Sequence, residues 1–335
     1  MSKPVRIGVA GVGRIGKMHA EIIARNTPNA TLVAVADVNQ AAAEAVAKEL
    51  NVEARSVADL ISSEDIDAVA ICTSTDTHVE LIIAAAEHGK AIFCEKPISL
   101  KLEEVDKALA AVAKANVPFM VGFNRRFDPA HDSVAWAVRS GEIGEPQLAV
   151  ITSRDPSPPP IEYVKVSGGI FVDMMIHDFD MARFVVGSPV VEVFAKGSCL
   201  IDPAIGEAGD VDTAMVMLTH ANGCLTTINN SRKSVYGYDQ RVEVFGSKGR
   251  AMSDNPPVHT GTVLTEEGNR GTVIPNFFIE RYQVGYLNEW TQFATYVQEG
   301  GVSPISGQDG KAPVVIAMAA AESLRTGQPV MVCEG

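Results

Sequence analysis

Cysteine is scarce in this sequence, and the cysteines that are present form no recognisable motif. The 335 residues include five cysteines, an odd number, and no two of them have the spacing of a metal site or a redox pair. Cys72 and Cys94 lie at the ends of apolar runs, where the thiol behaves as a small hydrophobic group. The pattern argues against a disulfide-stapled fold and predicts a reduced, cytoplasmic protein.

The sequence also lacks long apolar runs and an excess of positive charge. No apolar run approaches the roughly 20 residues needed to span a bilayer, and the run from Val5 leads into a glycine-rich loop, which predicts a core strand and not a signal peptide. The 28 Lys and Arg are outnumbered by 41 Asp and Glu, and the net charge of −13 argues against nucleic acid or an anionic membrane as a partner. No internal repeat or metal-ligand motif is evident, so we expect a globular protein without a bound metal.

The most informative feature that is present is the glycine motif Gly11-Val-Gly13-Arg14-Ile15-Gly16, which follows the first apolar run and precedes a helical stretch. Strand, Gly-x-Gly-x-x-Gly and helix in this order predict a dinucleotide-binding βαβ unit. Gly11 permits a tight turn, Gly13 lets the backbone approach a pyrophosphate, and Gly16 lets the helix pack close to the strand. The phosphates would then bind the N–H groups at the start of the helix.

An acidic residue stands where such a unit needs one. Asp37 ends the second apolar run, 21 residues after Gly16, and is predicted to accept hydrogen bonds from the adenosine ribose hydroxyls. The alternative is that Asp37 only caps the helix that begins near Gln40. A carboxylate repels a 2′-phosphate, and neither Val38 nor Asn39 supplies a cation, so the sequence favours NAD over NADP.

The pattern of apolar runs predicts two domains, at residues 1–123 and 124–335. Strands alternate with helices in the first domain, which predicts a doubly wound parallel sheet of the Rossmann type with helices on both faces. The second domain is predicted to be α+β with a large, mostly antiparallel sheet, because turns such as Asn222-Gly223 separate its strands. Its closing helix, near 311–325, is expected to pack back on the first domain. A broad sheet leaves one face to cover, which predicts an oligomer.

Polar residues follow three successive predicted strands of the first domain, at the edge where ligands of open α/β sheets bind. These segments are Thr73-Ser74-Thr75-Asp76-Thr77-His78, Glu95-Lys96-Pro97 and Asn124-Arg125-Arg126. Loops are often polar without a function, and this explanation fits Thr75 and Asp76 equally well. Glu95-Lys96-Pro97 is more specific, because it places a lysine between an acid and a proline at the mouth of the crevice. One of Arg125 and Arg126 is predicted to form only a surface ion pair.

The second domain contributes an acid and a histidine after two glycines, in the stretch Gly168-Gly169-x3-Asp173-x3-His177. On a single predicted helix, residues four apart share one face, so Asp173 and His177 would lie together. The glycines would let another group approach the backbone closely. Taken alone, such a pair is more often structural than functional.

The chain resembles the glucose–fructose oxidoreductase / inositol dehydrogenase / rhizopine-catabolism superfamily over essentially its whole length. The resemblance is carried by three motifs in this order and at these separations: the glycine motif, Glu-Lys-Pro and Gly-Gly-x3-Asp-x3-His. Residues 122–129, 152–160 and 168–180 are most similar to its inositol 2-dehydrogenase branch. Ile170 and Met175 depart from the wider superfamily, in which glycine is frequent at both positions. Both departures resemble the inositol branch, so they narrow the expected substrate.

The resemblance implies NAD-dependent oxidation of myo-inositol to 2-keto-myo-inositol, with Lys96, Asp173 and His177 as the catalytic residues. His177 would act as the base, because its unperturbed pKa lies near working pH. Asp173 would orient the substrate or bias His177 by its charge, and Lys96 would stabilise the developing charge on the reacting oxygen. The sequence leaves open which of Lys96 and His177 takes the proton first.

The resemblance also implies which residues contact the ligands. The expected cofactor contacts are Gly11, Gly13, Arg14, Ile15, Gly16, Asp37, Thr73, Ser74, Thr75, His78, Glu95 and Lys96. The expected substrate contacts are Lys96, Asn124, Arg125, Asp155, Asp173, His177 and Tyr236. Ordinary packing is an equal alternative for Tyr236 and for Tyr238.

Family resemblance favours a homotetramer. Two other functions stay open: a dehydrogenase of another polyol or sugar, such as scyllo-inositol or an aldose, and a non-catalytic NAD-binding sensor.

Overall fold

The structure is a computed structural model that describes residues 3–333. Its internal contacts divide the chain into two units. The first runs up to Phe127 and also includes Val284–Ala312; the second comprises Asp128–Gln283 and the chain from Pro313 onward. The segment 284–312 therefore belongs to the first unit, although the sequence analysis placed it in the second domain.

The first unit is built on a parallel six-stranded sheet. Its strands are β1 (Val5–Ala10), β2 (Ala30–Ala36), β3 (Glu53–Ala54), β4 (Ala68–Ile71), β5 (Ala91–Glu95) and β6 (Phe119–Gly122). The order across the sheet is β3-β2-β1-β4-β5-β6, the doubly wound Rossmann order, with its switch point between β1 and β4. All four residues of β4 and of β6 are buried, as expected when helices cover both faces. The predicted fold class of this region is confirmed.

The helices that connect these strands are α1 (Arg14–Arg25), α2 (Gln40–Leu50), α3 (Val57–Ser62), α4 (Thr75–Glu87) and α5 (Leu102–Ala115). Both α2 and α5 end at an asparagine in the left-handed conformation, Asn51 and Asn116. These short connections place the segments after β1, β2, β4, β5 and β6 at one edge of the sheet.

The second unit contains a mixed seven-stranded sheet and a small separate hairpin. Its strands are β7 (Pro146–Arg154), β8 (Val190–Ser198), β9 (Thr213–His220), β10 (Leu225–Ser231), β11 (Asp239–Gly246), β12 (Gly249–Ser253), the hairpin strands β13 (Val263–Thr265) and β14 (Gly268–Arg270), and β15 (Val330–Met331). The order is β12-β11-β7-β10-β9-β8-β15. Every adjacent pair is antiparallel except β7 and β10, which are parallel and therefore end at the same edge. The prediction of a mostly antiparallel sheet is confirmed.

The remaining helices follow in chain order. They are α6 (Pro129–Arg139), α7 (Ile161–Val164), α8 (Gly169–Asp173), α9 (Ile176–Val186), α10 (Pro203–Glu207), α11 (Phe278–Arg281), α12 (Gln283–Glu299) and α13 (Gly307–Thr326). Residues of α6, α9 and the later part of α13 bury one face of the seven-stranded sheet in a single apolar core.

The prediction of one helix that holds both Asp173 and His177 is wrong. Helix α8 ends at Asp173, and α9 begins only at Ile176. The N–H groups of Met174 and Met175 both bond to the carbonyl of Ile170, at 3.1 and 2.9 Å, so the regular i to i−4 ladder is interrupted there. The two side chains are therefore placed by two short helices and the turn between them.

Aromatic packing explains why part of the C-terminal region belongs to the first unit. Trp290 and Phe293 of α12 are fully buried, and their rings lie 4.5 and 5.8 Å from that of Phe93 in β5. Burial of such large side chains is worth a few kcal/mol each. Helix α12 is thus part of the apolar core around β5.

The second face of the seven-stranded sheet is exposed in the single chain. Side chains that alternate along the strands project from it, among them Leu148, Val150, Met215, Met217 and Phe245. Leu148 is 51% and Met215 61% exposed. An exposed apolar surface of this kind is typical of an interface with another protein. We call it the open face.

Candidate functional site

The glycine loop has the geometry that a dinucleotide requires. Gly11 has φ +89°, and a Cβ atom there would lie 2.6 Å from the carbonyl oxygen of Cys72. A Cβ atom at Gly16 would overlap the carbonyl oxygen of Gly11, whereas none of the surrounding atoms lies within 4 Å of a Cβ built at Gly13. Helix α1 begins directly after Gly13 with no side-chain cap, so the donors of its first turn face an open approach. These features fit a pyrophosphate bound at the helix N-terminus.

Asp37 is fixed beside this loop by two backbone groups. Its Oδ2 accepts the N–H of Val12 at 2.8 Å, and its Oδ1 accepts the N–H of Asn39 at 2.8 Å. Helix α2 is capped by Asn39, whose side chain accepts the N–H of Ala42. Asp37 therefore does not cap α2, and each carboxylate oxygen keeps a lone pair for a ribose hydroxyl.

The segment after β4 is held by a buried histidine. The ring nitrogens of His78 in α4 lie 3.1 Å from the carbonyl oxygen of Thr73 and 2.9 Å from that of Pro97. Burial lowers the pKa of His78, while the hydrogen bonds to the two carbonyl oxygens act in the opposite direction. His78 connects the segments after β4 and β5. Its direct contact with a cofactor, like those of Thr73, Ser74 and Thr75, stays a prediction.

Lys96 directly follows β5 and is anchored through its neighbour Glu95. Glu95 Oε2 accepts the N–H of Lys96 at 3.1 Å, and Glu95 Oε1 lies 2.7 Å from His19 Nε2. The indole N–H of Trp290 donates to His19 Nδ1 at 2.8 Å, which leaves the proton of a neutral His19 on Nε2, facing Glu95. The sequence analysis missed His19 and Trp290. Trp290 is 271 residues from His19, so no local spacing connects the two.

A buried acid lies near Glu95, whose own side chain is partly exposed. Glu289 in α12 is fully buried, and neither of its carboxyl oxygens is hydrogen-bonded by any part of the described chain. Burial, reinforced by the charge of Glu95, raises the pKa of Glu289 well above its usual range. Burial therefore favours the protonated form of this carboxyl group. No sequence signal distinguishes it from an exposed helical glutamate.

The segment after β6 forms a 3₁₀ turn over Asn124–Phe127, in which Asn124 and Arg125 are buried. Arg126 pairs with Asp309 at 3.2 Å, and its side chain is only 10% exposed, so this ion pair does not lie on the surface as the sequence predicted for one of the two arginines. Substrate contacts by Asn124 and Arg125 stay predictions.

In the second unit, Asp173 is the centre of a hydrogen-bonded group. The hydroxyl of Tyr163 donates to its Oδ1 at 2.9 Å, and Nη1 of Arg232 donates to its Oδ2 at 3.0 Å. His177 lies in the first turn of α9 and is half-buried, while its neighbours Ile176 and Asp178 are buried. The family resemblance points to Asp173 and His177, but no sequence motif marks Tyr163 or Arg232.

The parallel pair β7 and β10 brings two further residues to the same edge. Asp155 follows β7, and Arg232 follows β10. The N–H of Asp155 donates to the carbonyl of Ser231 at 3.0 Å, and its own carbonyl accepts the N–H of Ser234 at 2.7 Å. Asp155 is therefore fixed close to the residue that contacts Asp173.

Tyr236 is half-exposed, and its hydroxyl has two partners. It donates to Asp239 Oδ2 at 2.6 Å and accepts a hydrogen bond from Arg154 at 2.8 Å. Tyr238, in contrast, is buried and packs edge-on against Tyr282, as the packing alternative predicts. A substrate contact by Tyr236 stays a prediction.

The predicted catalytic residues come from both units: Lys96 from the first, and Asp173 and His177 from the second. Their convergence on one substrate stays a prediction. Across residues 3–333, no group of three or more His, Cys, Asp or Glu side chains is arranged to hold a metal ion. No helix in this range is long and apolar enough to span a bilayer.

Comparison with known proteins agrees with this geometry. Residues 5–123 match a family described as an oxidoreductase family with an NAD-binding Rossmann fold, and residues 132–252 match the GFO/IDH/MocA C-terminal domain. The chain is 48% identical to a myo-inositol 2-dehydrogenase of Thermotoga maritima, over 97% of this chain and 98% of that protein.

Solved structures show the same similarity. A myo-inositol dehydrogenase of Corynebacterium glutamicum is 41% identical, with a TM-score of 0.94 over 98% of this chain and 99% of that one. A scyllo-inositol dehydrogenase of Lactobacillus casei, solved with NAD(H) and scyllo-inositol, is 30% identical, with a TM-score of 0.91 over 98% and 99% of the two chains.

The fold and the glycine loop thus define an oxidoreductase with an NAD-binding Rossmann domain. More specifically, the chain belongs to the GFO/IDH/MocA family.

Proposed function

We propose that this protein oxidises myo-inositol to 2-keto-myo-inositol with NAD⁺ as the hydride acceptor. The observation that carries the proposal is the 48% identity to a myo-inositol 2-dehydrogenase over nearly the full length of both chains. The open approach at Gly13 and the carboxylate of Asp37 beside the glycine loop support NAD as the cofactor.

Each predicted catalytic side chain has a role that its chemistry supports. NAD⁺, when bound, supplies the electrophilic ring that accepts the hydride. His177 accepts the hydroxyl proton, Asp173 receives a hydrogen bond from a substrate hydroxyl, and Lys96 donates a hydrogen bond to the reacting oxygen.

A panel of polyols tests the substrate. The purified protein is mixed with NAD⁺ and, separately, with myo-inositol, scyllo-inositol and several aldoses, and the NADH absorbance is followed. We expect the highest kcat/KM with myo-inositol, and lower activity when NADP⁺ replaces NAD⁺ because Asp37 repels the 2′-phosphate.

Other outcomes of the panel select the alternatives. A preference for scyllo-inositol would assign the activity named for the Lactobacillus casei relative. No hydride transfer with any polyol, together with tight NAD binding, would identify a sensor.

We further propose that the chain assembles as a homo-oligomer through the open face, with family resemblance favouring a tetramer. A second copy of the sheet would cover side chains such as Leu148 and Met217, which the single chain leaves exposed. We also propose a cytoplasmic location, because all five cysteines are free thiols within the described part of the chain.

A further inference from the structure

Arg232 is a buried cation that contacts two carboxylates. Its side chain is only 1% exposed. Nη1 donates to Asp173 Oδ2 at 3.0 Å, and Nη2 donates to Asp210 Oδ2 at 3.2 Å. A planar guanidinium can reach two acceptors in fixed directions, which a single ammonium group cannot do. Arg232 therefore joins Asp173 to Asp210 with a defined geometry.

Asp210 is in turn attached to the helix that ends at Asp173. Its Oδ1 accepts the N–H of Ile170 at 2.9 Å. Gly169 has φ +77°, and a Cβ atom at that position would lie 3.0 Å from the same oxygen. Helix α8 is thus held at its first turn by Asp210 and at its last residue by Arg232.

Tyr163 fixes the other side of the Asp173 carboxylate. Its hydroxyl donates to Oδ1 at 2.9 Å from the short helix α7, and the tyrosine side chain is half-exposed. Both oxygens of Asp173 therefore have a protein donor. We call Tyr163, Asp210 and Arg232 the Asp173 clamp.

We propose that Arg232 is a positioning residue for the reaction, and that the Asp173 clamp fixes the carboxylate of Asp173 in the orientation that receives the substrate hydroxyl. This inference rests on the proposed function, in which Asp173 contacts the polyol. The single positive charge of Arg232 separates two carboxylates that would repel each other without it. Its loss would leave Asp173 free to rotate away from the substrate.

The experiment compares Arg232→Lys and Arg232→Met with Arg139→Lys. Arg139 also pairs with an aspartate at 3.0 Å, but that pair is about half-exposed, so its replacement is a matched control. A displacement of about 1 Å at a reacting group costs about 100-fold in rate. We expect Arg232→Met to lower kcat with myo-inositol by about that factor, with partial rescue by lysine and an unchanged KM for NAD⁺. Arg139→Lys should match the wild type.

A double-mutant cycle with Asp173→Asn separates positioning from a general structural effect. If Arg232 acts through Asp173, Arg232→Lys has little further effect on kcat once Asp173 is replaced. The proposal would be overturned if the two substitutions lowered kcat by independent factors that multiply in the double variant. It would also be overturned if the Arg232 variants had wild-type kcat and KM. Tyr163→Phe removes one hydroxyl of the Asp173 clamp and should lower kcat about tenfold. If the Arg232 variants do not fold, the same cycle with Tyr163→Phe and Asp173→Asn tests the clamp.

A measurement that does not depend on catalytic activity tests this inference separately from the proposed function. Crystal structures of the wild type and of Arg232→Lys, or of Tyr163→Phe, show the side-chain conformation of Asp173 directly. We expect a changed conformation in the variant, and an unchanged one overturns the clamp even if no polyol is oxidised. An inactive wild type with a displaced Asp173 in the variant would instead overturn only the proposed function.

Discussion

At the scale of single residues, the structure connects the predicted site residues to partners that the sequence did not indicate. Lys96 follows Glu95, whose carboxylate is hydrogen-bonded to His19. The carboxylate of Asp173 is hydrogen-bonded to Arg232. The residue types were predictable because hydride transfer from an alcohol needs a base and a cation near the oxygen. Their partners were not, because these contacts join residues that are distant in the chain.

Replacement of either proposed proton-handling residue should abolish most of the activity. We expect Lys96→Ala and His177→Ala each to lower kcat by about two to four orders of magnitude, because a proton acceptor or a stabilising charge is lost from the transition state. The Kd for NAD⁺, measured by fluorescence titration, should stay near the wild-type value. Undiminished turnover in either variant would refute the role given to that residue.

At the scale of elements, two helices differ in how far the sequence determined them. For α12, the helical pattern of the sequence predicts a helix over Tyr282–Glu299, and the structure shows one over Gln283–Glu299. The single helix expected around Asp173 and His177 is divided, because Met174 and Met175 share the carbonyl of Ile170. Both methionines are buried in the core, and a one-dimensional pattern does not record this burial.

The buried acid of α12 predicts a pH dependence of stability. Burial raises the pKa of Glu289, so the folded state keeps its proton at pH values where the unfolded chain has lost it. This contribution to the free energy of unfolding is complete below the unfolded pKa of about 4.3 and is lost as pH rises towards the folded pKa. Glu289→Gln cannot ionise, so its Tm should exceed that of the wild type by a few degrees at pH 8 and by less at pH 5.

Thermal unfolding at both pH values measures this difference. Glu87→Gln, a change at an exposed position, is the control and should leave the pH dependence of Tm unaltered. A Tm difference between Glu289→Gln and wild type that is the same at pH 5 and pH 8 would show that Glu289 is ionised in the folded protein.

At the scale of the whole molecule, the two units carry different parts of the proposed chemistry. The first supplies the glycine loop, Asp37 and Lys96, and the second supplies Asp173 and His177. The open face lies in the second unit. None of the apolar side chains that define it is a candidate catalytic residue. A single chain cannot bury this surface, so we expect association to stabilise the fold.

A charge on the open face should weaken the assembly. Met217 and Val150 lie in register with Thr227 of β10, across the middle of the sheet. We expect the wild type to have a mass in solution that is a multiple of 35.6 kDa, and Met217→Glu to shift it towards the monomer. Size-exclusion chromatography with light scattering measures this shift. Val302→Glu, at a position 91% exposed and outside the sheet, is the control. A monomeric wild type at micromolar concentration would contradict the proposed interface.

The family resemblance supplied the candidate catalytic residues, whereas the sequence by itself determined the Rossmann sheet and the preference for NAD. These depend on short-range patterns: apolar runs, a glycine motif and an acid 21 residues later. Only the tertiary structure decided the assignment of 284–312 to the first unit, the division between α8 and α9, and the contacts of His19, Glu289 and Arg232. The reason is physical: burial and hydrogen-bond partners arise from chain segments up to 271 residues apart, and no local spacing records which of them meet.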